Sequence, residues 1–178
     1  MRYRHPLPRI WLMTDERIEN IDTAIARLPR RSGIVFRHYS LKPKARRALF
    51  DRVRRAARRY HHILLLAGTP RQARAWQADG AHDRSPLKSL GRRSAAVHSV
   101  RERIAATRAG ADVLFVSPVF ATRSHPHARV LGRIGTALVA GHDRSRTVAL
   151  GGMTAKRAKT LSGLRIHGWA AIDALSWN

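Results

Sequence analysis

Eight short apolar runs recur along the chain, each followed by an amphipathic or loop segment. This alternation limits the possible folds more than any single residue does. The runs cover 10–13, 33–37, 63–67, 79–82, 95–98, 112–116, 147–150 and 168–172. Ile63-Leu64-Leu65-Leu66-Ala67 is apolar throughout, the pattern of a strand covered on both faces. Between the runs the period changes to that of a helix. Residues 17–28 place Ile18, Ile21, Ala24, Ile25 and Leu28 on one face. Pro43 stands where the first turn of a helix tolerates proline. The helix behind it predicts Ala45, Leu49, Val53, Ala56 or Ala57, and Tyr60 inward. Arg46, Arg47, Arg54, Arg55, Arg58 and Arg59 then face outward. Further helices are predicted over 70–77, 100–109, 131–140 and 155–161. Ile104 and Ala105 turn inward in the second of these, Gly110 ends it, and Thr154 caps the last. Strands alternating with helices imply parallel βαβ units, and a count of eight favours closure. The expected fold is α/β: a compact TIM (β/α)8 barrel with shortened connections after strands 4 and 8. At 178 residues, one domain over 1–178 is expected.

The chain has no cysteine, which excludes disulfides, thiol catalysis and thiolate metal sites. Lys and Arg total 35 against 11 Asp and Glu, a formal net charge of +24. Such a field favours anionic partners. An Arg-rich solvated surface is the plain alternative. No apolar run approaches the length that spans a bilayer, and the first residues show no secretory pattern. A cytoplasmic protein without a membrane partner is expected, and a homo-oligomer is compatible with the sequence.

Specific motifs fall at the ends of the later runs. Val97-His98-Ser99 is followed by Glu102. Gly110-Ala111-Asp112, Ser117-Pro118-Val119-Phe120-Ala121-Thr122, Gly151-Gly152-Met153 and the stretch 168–174 then come in order. This ordered set resembles the thiamine phosphate synthase/TenI family, over roughly residues 95 to 175 and more loosely from residue 9. The resemblance implies a transferase that joins hydroxymethylpyrimidine pyrophosphate to thiazole phosphate in thiamine biosynthesis. Its partners would be these phosphorylated pyrimidine and thiazole molecules, and its cofactor Mg²⁺. TenI-like relatives instead tautomerise a thiazole phosphate carboxylate.

The resemblance also implies site residues, all in the loops after the strand C-termini. Gly151 and Gly152 would hold the thiazole phosphate on bare backbone N–H groups; a tight turn that needs positive φ is the alternative. Thr122-Arg123-Ser124-His125 matches the family's Thr-x-Thr-Lys pyrophosphate clamp, with His125 in place of Lys. Arg37 matches the Arg of the Gln-x-Arg-x-Lys motif, while Val35 and Tyr39 replace the other two residues. Arg37, Ser124 and His125 are the catalytic candidates. His98, Ser99, Thr122 and Arg123 join the two glycines as binding candidates, Ser99 also as a helix cap. The Asn-Asp pair expected after strand three reads Ala67-Gly68, which leaves Asp83 as the candidate metal ligand. The histidine that tautomerases carry after strand six falls on Pro118. Asp173 stands where the family usually has Ser near the phosphate; it repels an anion unless it is paired.

Two other functional classes fit parts of the sequence. One is a non-catalytic or altered-substrate TenI-like binder that keeps the phosphate cup. The other is a polyanion or nucleic-acid binder, which uses the nine basic residues of 42–59 against the single acid Asp51. No nucleic-acid-binding signature accompanies that helix. His82, His98, His125 and His127 follow no recognised zinc spacing.

Overall fold

The structure, a computed structural model, describes residues 6–82, 91–123 and 128–176. Eight parallel strands close into a barrel in sequence order. They are β1 (Ile10–Met13), β2 (Gly33–Phe36), β3 (Ile63–Ala67), β4 (Gly80–His82), β5 (Arg92–Val97), β6 (Val113–Val116), β7 (Thr147–Ala149) and β8 (Gly168–Ala171). β1 pairs with β8 through Trp11↔Ala170, which completes the ring. Among the described residues, six α-helices lie between strands: α1 (Ile21–Arg27), α2 (Pro43–Arg59), α3 (Pro70–Ala75), α4 (Val100–Arg108), α5 (Gly132–Ala140) and α6 (Ala155–Thr160). Among the described residues, a 3-10 turn, Asp173–Leu175, follows β8. Most of the β4–β5 connection, where a shortening is expected, lies outside the described residues.

Alternate residues of each strand serve two cores. Trp11, Met13, Val35, Leu65, Val113, Phe115 and Val148 fill the barrel interior. Leu12, Ile34, Phe36, Leu64 and Leu66 point outward and pack under the helices. Trp11 and Phe115 meet edge to face at 5.4 Å. Gly33 makes this possible, because a Cβ there would fall 2.1 Å from the Trp11 ring. Burial of two large aromatics at the barrel centre stabilises the closed ring by several kcal/mol, about 1.5–3 for each side chain.

Some local expectations are corrected. α1 starts at Ile21 and not at residue 17, because Asn20 accepts a hydrogen bond from the Thr23 N–H and caps the helix. β5 begins at Arg92, three residues before the apolar run, because Arg92 and Arg93 are buried within the sheet. α4 buries neither Ile104 nor Ala105; Ile104 is 39% exposed, and Ala106 makes the core contact. In α2, Val53 and Ala57 are buried and Leu49, Ala56 and Tyr60 pack against the core as expected, whereas Ala45 is exposed and Phe50 joins the buried face. Arg46, expected to face outward, instead donates to the Arg37 and Ala67 carbonyls.

Candidate active site

A cavity of about 870 Å³ opens at the C-terminal ends of the strands. Its walls come mainly from the loops after β6, β7 and β8, with Arg37 and His98 at the ends of β2 and β5. Six sequence-predicted residues line it together: Arg37, His98, Thr122, Arg123, Gly151 and Gly152. Ser124, His125 and Asp83 lie outside the described residues.

The floor of the cavity is a turn between β7 and α6. Gly151 and Gly152 both have positive φ, +92° and +60°. Steric crowding makes glycine necessary there as well. A Cβ at Gly151 would lie 2.7 Å from Pro118 Cα, and one at Gly152 would lie 2.3 Å from the Ala121 carbonyl. The turn is stitched to the loop after β6: the N–H of Val119 donates to Leu150 O at 2.9 Å, and that of Phe120 to Gly151 O at 3.0 Å. These bonds use the carbonyls of the glycine turn. Its own N–H groups, at Gly151 and Gly152, have no acceptor among the described residues. Thus the positive-φ turn and the bare donors, posed as alternatives from sequence, coexist.

Arg157 stands over this turn. Its Nη1 donates to Gly152 O, and its guanidinium lies 5.0 Å from the centre of the Phe120 ring. Sequence reading missed this residue, although a signal existed. Thr154 caps α6 by accepting from the Arg157 N–H, which sets Arg157 one helical turn from the cap and beside the glycines.

Arg37 is fixed by three contacts. Its N–H donates to Thr14 Oγ1 at 3.0 Å, its Nε to Thr14 O at 2.8 Å, and its Nη2 to Asp15 Oδ2 at 2.7 Å. Nη1 has no partner among the described residues. Burial lowers the Arg37 pKa, and the Asp15 carboxylate opposes that shift. A guanidinium remains charged in either case. At Asp15, burial raises the pKa, but hydrogen bonds from Arg17 and the charges of Arg37 and Arg17 outweigh it. The net shift is downward, so Asp15 is ionised near neutral pH. Asp15 was not singled out from sequence.

His98 is oriented from both sides. Its N–H donates to Glu102 Oε2 at 2.8 Å, and its Nδ1 lies 2.7 Å from Ser117 O. A carbonyl only accepts, so Nδ1 carries a proton and donates it to Ser117 O, which leaves Nε2 as the ring nitrogen for a ligand. Ser99 does not line the cavity. Its hydroxyl accepts from the Glu102 N–H at 3.2 Å and caps α4, a contact worth about 1 kcal/mol.

The ends of β2 and β3 do not fit Mg²⁺. The described residues contain no cluster of three metal-ligating side chains. At Ala67, where the resemblance implies a metal-binding pair, Arg46 donates through Nη2 to the Ala67 carbonyl at 2.8 Å. Its Nε donates to Arg37 O at 2.9 Å, and the group packs 5.5–5.6 Å from the ring centres of Phe36, Tyr39 and Trp76. A fixed cation thus stands where the resemblance implies carboxylate and amide ligands.

Known proteins place this arrangement. The model of the thiamine monophosphate synthase family matches residues 11–175. A chain of Aquifex aeolicus (strain VF5), provisionally named thiamine-phosphate synthase 2, is 28% identical over 94% of this chain and 97% of its own length. The thiamine-phosphate synthase of Geobacillus kaustophilus (strain HTA426) is 31% identical over 77% of this chain and 67% of its own. Among solved structures, the thiamine phosphate pyrophosphorylase of Pyrococcus furiosus superposes with a TM-score of 0.79 at 22% identity. That match covers 96% of this chain and 88% of the other, and it supports the barrel fold. With the family match spanning nearly the whole barrel, the chain belongs to the thiamine monophosphate synthase family.

Proposed function

We propose that the chain is a thiamine phosphate synthase-like transferase that joins hydroxymethylpyrimidine pyrophosphate to thiazole phosphate. Family membership supports the reading. The observation that carries it is the glycine turn, which lines a cavity built from the loops after β6, β7 and β8 and whose two N–H groups have no acceptor among the described residues. In the reaction the pyrimidine C–O bond breaks and pyrophosphate leaves with the electron pair. The thiazole nitrogen then forms the new C–N bond, and no net proton transfer is needed. Gly151 and Gly152 bind the thiazole phosphate, since positive-φ glycines let an oxygen approach backbone donors closely. Arg157 adds a positive charge at the same end. Arg37 directs Nη1 to the departing pyrophosphate, assisted by Thr122, Ser124 and His125, and Arg123, paired with Asp173 at the cavity mouth, serves the phosphate of either substrate. The roles of Ser124 and His125 rest on the motif match alone. His98 offers Nε2 as a hydrogen-bonding group to the ligand. The described residues at the ends of β2 and β3 do not fit Mg²⁺, and arginine side chains supply the countercharge.

Calorimetric titration tests the binding half of this reading. Thiazole phosphate should bind saturably, and the thiazole alcohol without phosphate more weakly. Ser124→Ala should weaken the pyrophosphate substrate by about tenfold, the worth of one hydrogen bond to a charged group, and leave thiazole phosphate unaffected. A flat titration with thiazole phosphate would overturn the reading.

A further inference from the structure

Among the described residues that line the cavity, Asp173 is the only acid, against Arg37, Arg123, Arg129 and Arg157. A carboxylate in a pocket of guanidinium groups needs a physical account. Its contacts supply one. Oδ2 accepts from Arg123 Nε at 3.2 Å and lies 3.0 Å from Arg123 Nη2. Oδ1 lies 3.7 Å from Arg17 Nη1, and Arg17 is itself paired with Asp15 at 2.7 Å. The turn holds the residue in place, because Ser176 donates to the Asp173 carbonyl through its hydroxyl and its N–H, at 2.9 and 3.3 Å. The Asp173–Arg123 pair therefore joins the short turn after β8 to the loop after β6, across the mouth of the cavity.

We infer that Asp173 is a specificity-determining residue that acts through Arg123: its carboxylate competes with a ligand phosphate for that guanidinium. The inference rests on the phosphate-binding role of the glycine turn proposed above. Arg123 and Asp173 are well exposed, at 79% and 42%, so their pair is weak enough for a dianion to displace. Competition still lowers the affinity of any phosphorylated ligand, because binding must release Arg123 and bring a second anion near Asp173. A ligand without phosphate meets neither cost. The carboxylate thereby narrows the preference between phosphorylated and unphosphorylated ligands and favours release of the anion.

The sign of the expected effect separates this from a structural role, since removing the carboxylate should improve binding. Titrations would compare the wild type, Asp173→Asn, Asp173→Glu and the Arg123→Ala/Asp173→Asn double variant. Each would be tested with thiazole phosphate and with the thiazole alcohol, at low and high salt. Asp173→Asn should bind thiazole phosphate about three- to tenfold more tightly, with the gain shrinking in high salt. Affinity for the alcohol should not change, Asp173→Glu should match the wild type, and the double variant should lose the gain. If Asp173→Asn does not fold, Asp173→Ser serves as the second carboxylate deletion. Unchanged or weaker phosphate binding, with a wild type that does bind, overturns this inference alone. Absence of thiazole phosphate binding in every variant overturns the phosphate reading beneath it.

Discussion

Gly152→Ala is expected to lower the melting temperature by about 5–15 °C, and thiazole phosphate affinity at least about tenfold. Two effects add. A left-handed backbone costs a non-glycine residue about 1–2 kcal/mol, and Gly152 has φ of +60°. The new methyl would also lie 2.3 Å from the Ala121 carbonyl, so one of the two loops must move. Forced overpacking of this kind costs about 1–3 kcal/mol. The Phe120–Gly151 and Val119–Leu150 hydrogen bonds transmit that movement to the loop after β6. Affinity should fall even at temperatures where the protein is fully folded, because the displaced N–H groups are the proposed phosphate donors. Thermal denaturation followed by calorimetry separates the two losses. Wild-type stability and affinity in Gly152→Ala would show that the turn is neither strained nor used.

Arg37→Ala is expected to raise KM for the pyrophosphate substrate about 10- to 100-fold, the worth of one charged hydrogen-bonding group. Stability should change much less. Asp15 keeps its 2.7 Å pair with Arg17 when Arg37 is removed, so no carboxylate is left buried and alone. Arg37→Lys should recover only part of the loss. An ammonium cannot bond Thr14 O and Asp15 and still present a further donor in the same plane. Steady-state kinetics with each substrate varied in turn would check this. A rise in KM confined to the thiazole substrate would contradict the assignment.

The barrel was legible because its strands are buried on both faces. Runs such as 63–67 are apolar without interruption, and only a covered sheet tolerates that. The positions of the glycine turn and of Arg37 were readable because motif residues sit at strand ends, where a barrel builds its site. What escaped was set by tertiary contact. Apolar Ile18 extended the helical pattern of α1 backward, yet Asn20 fixes the true start through its side chain. Arg46 read as one of several outward arginines. It is drawn inward by two carbonyl acceptors, and an arginine stem long enough to reach them leaves no periodic signature. Asp173 raised the question of repulsion, but the Arg123 and Arg17 contacts that neutralise it join loops far apart in sequence.

The most direct measurement is turnover. Purified protein, hydroxymethylpyrimidine pyrophosphate and thiazole phosphate would be incubated with and without Mg²⁺, with thiamine phosphate and pyrophosphate quantified together. The expected result is equimolar formation of both products, strongly reduced in Arg37→Ala and in Gly152→Ala. No thiamine phosphate under either condition, while both substrates bind by calorimetry, would contradict the transferase assignment and leave a phosphate-binding barrel without synthase chemistry.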